Sequence, residues 1–235
     1  MHQIEVSNLT INVTRKKIKN LHLAVHPPDG EVRISAPLHL DDESVRLFAI
    51  SRLNWIKKNQ AKIIAQPRQS QRKIVSGESH YFQGQRYLLN VIERDRPPEV
   101  EIRNKTYIDL YVREGSSEEK RREVLRNWYR QHLKNEIPKL IQKWETIMEI
   151  EVKHWGIKRM KTKWGTCNIQ AQRIWLNLEL AKKPPSCLEY VVVHEMTHFF
   201  ERYHNEHFRK LMDQFLPQWR SCREQLNQTP LENDC

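Results

Sequence analysis

Residues 194–198 read His-Glu-Met-Thr-His. On a helix each residue advances about 100°, so His198 lies about 40° round from His194 and one turn along. Both imidazoles can then meet one ion. Glu195 sits beside them, able to reach a metal-bound water without ligating the metal. By this arrangement zinc acidifies water and a carboxylate takes its proton. The plain alternative is a pair of ordinary helix histidines. The apolar run Tyr190–Val193 and a marked helix start weigh against it.

Zinc needs a third protein ligand, and three residues follow. Glu201 shares the ligand face but lies roughly 10 Å along the axis from His194, which suits an outer partner or a solvent-facing acid. His204 is about 80° off that face in a continuous helix, so it can ligate only if the helix ends first; His207 is more than about 140° off. No glycine marks such an end. Tyr203-His204-Asn205 could host a turn, because Asn tolerates left-handed geometry. Geometry ranks His204 ahead of His207 and leaves both open.

These side chains need a scaffold. Pro184 and Pro185 cannot continue a preceding helix, and Ser186 with Glu189 forms a capping box, so the metal helix is expected to start at Ser186. Lys158 to Cys167 and Arg173 to Leu178 read as short strands before it. Phe208, Leu211, Met212 and Phe215, then Trp219, Cys222 and Leu226, recur at helical spacing on either side of Pro217, as core packing against the metal helix without a catalytic duty. A helical stripe from Ser117 carries Leu125, Trp128, Leu133, Ile137, Ile141 and Trp144, with Pro138 expected to kink or split it.

The front is strand-like. Leu21, Leu23 and Val25 alternate with polar residues, as do Val32, Ile34 and Ala36, with a turn at Pro27 to Gly30. Asp41 and Asp42 open a helix with Val45, Ala49, Leu53 and Ile56 on one face. A polar stretch, residues 66–73, reads as a linker. Further strands follow at Gln85 to Ile92, Val100 to Arg103 and Tyr107 to Val112. The expected class is α+β: a β-rich domain with one helix over residues 1–115, then an α-rich catalytic domain over 116–235.

Of 235 residues, 38% are hydrophobic, and seven Trp, seven Tyr and six Phe supply enough bulk for a core. Forty Lys and Arg against 29 acids give a net charge of +11, which favours anionic partners or simply a solvated basic surface. Neither a signal-peptide run nor a membrane span stands out. Cys167, Cys187, Cys222 and Cys235 show no C-x-x-C spacing. A cytoplasmic protein with reduced thiols and no membrane partner is expected.

At these residues the chain resembles the YgjP-like metallopeptidases, a bacterial zincin family related to the SprT and WLM proteases. The resemblance rests on Trp164-Gly165-Thr166-Cys167, Leu176-Asn177-Leu178, Pro184, Tyr190 to His198, His204 and Phe208. In the front half Pro37, Trp55-Ile56 and Gly84-Gln85-Arg86-Tyr87 also match, so it covers about residues 15–227. It implies a zincin-like core with His204 as third ligand, since His-x-x-x-Phe after the helix is the family's pattern. Thr166, where Ser is commoner, and the variable pair Met196-Thr197 are mild departures. The resemblance names no substrate.

The expected activity is a zinc peptidase on peptide or protein substrates, with Zn2+ on His194, His198 and His204 and Glu195 as general base. Tyr203 and His207 are candidate electrophiles. Trp164 to Cys167 reads either as the rim of a peptide cleft or as core. Cys167 has no assigned base, so a cysteine hydrolase is rejected. Lys153, Lys158, Arg159, Lys161 and Lys163 crowd one stretch, as a solvated strand face or a basic edge for acidic or nucleic-acid-bound substrates. The rival readings are a nucleic-acid-associated protein with a structural metal, and a protease recruited to DNA by its basic surface.

Overall fold

The computed structural model describes residues 2–26, 29–65 and 73–228. Pro27, Pro28, residues 66–72 of the expected linker, and Cys235 lie outside them. The chain divides into two compact units, Met1–Gln69 and Ser70–Cys235.

The first unit opens with a hairpin that the sequence pattern did not single out, β1 (His2–Val6) and β2 (Leu9–Lys16). Its two-residue turn, Ser7-Asn8, has φ of 44° and 63°, the left-handed pair that matches strand twist. With β3 (His22–His26) and β4 (Glu31–Pro37) it forms a sheet of order β1-β2-β4-β3, in which β2 and β4 are parallel and the outer pairs antiparallel. Ile11, Val13, Val32, Ile34 and Ala36 alternate inward against Val45, Ala49 and Ile56. The single helix expected there is two, α1 (Asp42–Ser51) and α2 (Leu53–Ala65), because the Arg52 N–H turns back onto the Ala49 and Ile50 carbonyls. Asp41 caps α1, its carboxylate accepting from Ser44 N at 2.8 Å.

The second unit repeats that plan. Strands β5 (Ser79–Phe82), β6 (Gln85–Glu93), β7 (Glu99–Arg103) and β8 (Tyr107–Val112) have the order β5-β6-β8-β7, again with a parallel central pair and antiparallel outer pairs. Its first hairpin also turns through two left-handed residues, Gln83 and Gly84. Gly84 is required twice over: its φ is 80°, and a Cβ there would stand 2.7 Å from Pro184 Cγ.

Ser117 then caps α3 (Glu118–Met148), a 31-residue helix that runs unbroken through Pro138 rather than splitting there. Its buried stripe is Leu125, Tyr129, Leu133, Ile137, Ile141, Trp144 and Met148, with Trp128 half-buried and packed against the same core. Leu89, Ile108 and Leu110 of the sheet share one core with that stripe and with the elements that follow. Along the chain the boundary between the compact units falls between Gln69 and Ser70, and the compositional change near residue 115 lies within the second unit.

A third sheet carries β9 (His154–Lys158), β10 (Gly165–Asn168) and β11 (Arg173–Asn177) in the order β10-β11-β9. The expected strand from Lys158 to Cys167 is thus two strands, one parallel and one antiparallel to β11, and residues 159–164 must loop between them. Asn177, fully buried, holds that loop: its Nδ2 donates to Met160 O at 2.8 Å and Lys163 O at 2.7 Å. A short 3-10 helix (Leu178–Lys182), α4 (Pro185–Thr197), α5 (Glu206–Phe215) and α6 (Trp219–Gln228) complete the unit. Among the described residues no helix is long and apolar enough to cross a membrane.

Candidate active site

Helix α4 starts one residue earlier than the capping box predicts. Pro184 is its N-cap without a side-chain hydrogen bond, and Pro185 takes the first helical position, where a missing N–H costs nothing. Glu189 turns away from the helix start and accepts from Trp144 Nε1 at 3.0 Å and Lys143 Nζ at 2.6 Å, tying α4 to α3. Tyr190 to Val193 are buried, so the helix is packed on nearly all sides before His194.

The helix ends at Thr197, sooner than the end near Arg202 or Tyr203 that a turn at Tyr203-His204-Asn205 implies. Phe199 N and Phe200 N bond three residues back, to Met196 O and Thr197 O, tightening the last turn. The chain then leaves the axis. Glu201 Oε1 accepts from Tyr203 N at 2.9 Å, and Asn205 caps α5 by accepting from Phe208 N at 2.9 Å. Between those two anchors His204 returns to α4.

The ligand-capable atoms of His194, His198 and His204 lie within 4.8 Å of one another. His204 Nε2 stands 3.0 Å from His194 Nε2. His198 Nδ1 faces the Glu201 carbonyl at 3.0 Å, which fixes the proton on Nδ1 and turns the lone pair of Nε2 inward. It is the backbone oxygen of Glu201, not its carboxylate, that serves the cluster. Phe208 closes the floor, its ring centroid 4.8–5.0 Å from those of all three imidazoles. That contact was not legible as more than core packing. His207 lies outside the cluster, 63% exposed and 3.5 Å from Glu201 Oε2. Tyr203 is also exposed, and neither lines the cavity.

Glu195 follows the first imidazole and is 5% exposed. Burial pushes its carboxyl up to about 8, against the opposing charge of Lys163. Gly165 of β10 makes room for it, since a Cβ at that position would stand 2.6 Å from Glu195 Oε1. Burial, with His198, His204 and Arg223 adding to it, drives His194 down to about 3, so its ring is neutral and its lone pair free. Burial lowers His204 as well. Cys167 is held at about 12 by burial and by Glu195, an inert thiol.

The donor set suits a cation. Two imidazole nitrogens at 3.0 Å repel unless a proton or a metal lies between their lone pairs. Nitrogens about 2 Å from a tetrahedral ion stand about 3.3 Å apart, inside the observed range. His194 Nδ1 is buried with no hydrogen-bond partner.

A cavity of about 770 Å³ opens over this cluster. It is lined by residues 162–170, by Tyr190, Val191, His194 and Glu195 of α4 with His198 just past its end, and by Arg202, His204 and Leu226. Trp164 to Cys167 therefore lines the cleft, with Trp164 also packed against the core. Strand β10 is the edge of its sheet, paired only with β11.

No curated protein matches the chain. Two solved structures share partial likeness. The metallopeptidase zymogen abylysin of Pyrococcus abyssi is 14% identical, with a TM-score of 0.37 over 41% of this chain and 99% of that one. The metallopeptidase zymogen jannalysin of Methanocaldococcus jannaschii is 19% identical, with a TM-score of 0.34 over 38% and 91%. At those TM-scores they establish no common fold. The sequence itself is decisive, because the model of the YgjP-like metallopeptidase domain matches residues 19–229, from the first sheet through the three histidines and Glu195 to α6. The chain belongs to the YgjP-like metallopeptidase domain family.

Proposed function

We propose that the protein is a zinc-dependent peptidase with a zincin-like catalytic core, in which His194, His198 and His204 hold the ion and Glu195 is the general base. The catalytic elements lie within residues 116–235, built against the β5–β8 sheet. The observation that carries this reading is the convergence of three imidazole nitrogens within 4.8 Å beside one buried carboxylate. A purely structural metal would give Glu195 no reason to occupy a site where its charge is so poorly solvated. Three thiols without a disulfide among the described residues suit the cytoplasm.

Zinc, when bound, supplies Lewis acidity and brings water within reach of deprotonation near neutral pH. The chain does the rest. Glu195, basic enough to accept a proton near neutrality, takes it from the attacking water and returns it to the leaving amine. Gly165 holds the β10 backbone against that carboxylate and so keeps it over the cleft. The Glu201 carbonyl fixes the tautomer of His198. The edge of β10 offers backbone groups to an extended peptide, which orients the scissile bond across Glu195.

Glu195→Gln should keep about one zinc per chain and lose nearly all hydrolysis, while His194→Ala or His198→Ala should lose the metal. Metal analysis beside a peptide-cleavage assay reads both. A parent chain that takes up no divalent metal on titration would sink the assignment.

A further inference from the structure

Two cations line the cleft, and neither is in an ion pair with an acid among the described residues. Lys163 and Arg202 both line the cavity, and both are exposed. Glu195 is the one carboxylate among the lining residues, and it is buried.

These cations are placed, not trailing. The Lys163 carbonyl is gripped by Asn177 Nδ2 at 2.7 Å, at the end of the loop that Asn177 organises. Arg202 sits between the Glu201 carbonyl that faces His198 and the Tyr203 N–H that donates to the Glu201 carboxylate. Elsewhere the surface cations commonly meet acids, as in Arg103–Asp109, Lys143–Glu189 and Lys210–Glu206. Neither Lys163 nor Arg202 makes such a pair with a described residue.

Unpaired cations beside a metal site are unfavourable, because they repel the ion that the histidines would hold. That cost is offset when the occupant of the cleft brings negative charge. The geometry points to acidic peptides as the substrate class: segments with Asp or Glu flanking the scissile bond, read by Lys163 and Arg202 of the cleft lining. This selectivity rests on the peptidase reading above, and nucleic acid is the competing occupant for the same charges.

Three matched fluorescent peptides, differing only in whether Asp/Glu, Asn/Gln or Lys flank a common central bond, test it on the full chain. Binding is read by anisotropy on the zinc-loaded Glu195→Gln chain, and hydrolysis on the zinc-loaded parent. The acidic peptide should bind about tenfold tighter than the amide peptide at low salt, the gap narrowing as salt screens the exposed charges. The kcat/KM ratio should follow the same order. Lys163→Gln with Arg202→Gln should bring both ratios to about twofold or less, while Lys210→Gln, a distant paired lysine, should leave them unchanged.

Equal binding of the acidic and amide peptides would overturn the inference and leave the peptidase reading standing. Displacement of the acidic peptide by a single-stranded oligonucleotide that binds more tightly would also overturn it, in favour of nucleic acid. A binding preference retained while the parent cleaves none of the peptides would overturn the peptidase reading instead.

Discussion

Glu195 is a carboxylate kept where its charge is expensive, and that has a consequence measurable without any substrate. In the metal-free chain burial raises it from 4.5 to about 8. Between those two values the folded state holds a proton that the unfolded state lacks. Stability from this group is therefore full below about 4.5 and lost as pH rises toward about 8. Glu195→Gln removes the penalty, so in the presence of a chelator the variant's stability advantage should be small near pH 4.5. It should grow by about 1.4 kcal/mol for each pH step of one across this window and level off above about 8. His194, driven down to about 3, acts in the opposite sense, with stability rising with pH up to about 6.5, but it is common to both chains. Denaturant unfolding of the pair across this range measures the difference. A difference that is flat in pH would show that Glu195 is solvated in solution. Gly165 is the residue whose role could not be read in advance, since only the packed structure brings β10 so near the carboxylate that a Cβ at this position would stand 2.6 Å from Glu195 Oε1.

Among the elements, α4 was the most legible, because an apolar run and the His194/His198 spacing both demand a buried helix there. Its ends were less so. A Ser-x-x-Glu box and a Pro at the first helical position compete for the same start, and α3 decides the matter by claiming Glu189 through Trp144 and Lys143. The C-terminal end carries no glycine, and it comes at Thr197 rather than near Arg202 or Tyr203 because Phe199 and Phe200 bond three residues back. The loop at 159–164 was hidden for a similar reason. Its order comes from one buried amide, Asn177, reaching across from β11, a contact without any local signature. Since the early helix end is what frees His204 to return, His204→Ala should weaken zinc binding beyond the roughly 10–100-fold that follows loss of an outer hydrogen bond. His207→Ala should leave zinc binding within about twofold, because its ring is exposed and outside the cluster. Competition with a chromophoric chelator reads both affinities. A strong loss at His207 with none at His204 would reverse the ligand assignment.

At the scale of the whole molecule, two sheets share the strand order and the strand senses, although no internal repeat is visible in the residues. Alternation fixes only which side chains face inward, and many sequences satisfy it, so a common plan leaves no common letters. The first unit closes its sheet with α1 and α2 around a core of its own. The second spends its sheet differently: Leu89, Ile108 and Leu110 pack in one core with Leu133 and Ile137 of α3, Ile174 and Leu176 of β11, and Val192 and Met196 of α4. The sheet that looked like part of a β-rich front is thus structural support for the metal helix. Every residue assigned to metal, base or cleft lies in Ser70–Cys235. Residues 70–235 alone should therefore fold cooperatively, bind about one zinc and cleave the peptides that the full chain cleaves. A chain cut instead at 116 should fail, because it exposes the apolar face that β5–β8 cover, including α3 side chains that are fully buried. Thermal unfolding and metal analysis of the two truncations test this. Loss of zinc by the 70–235 chain despite a cooperative transition would mean that the first unit takes part in the site, and retention of zinc by the 116–235 chain would mean that the β5–β8 sheet is dispensable.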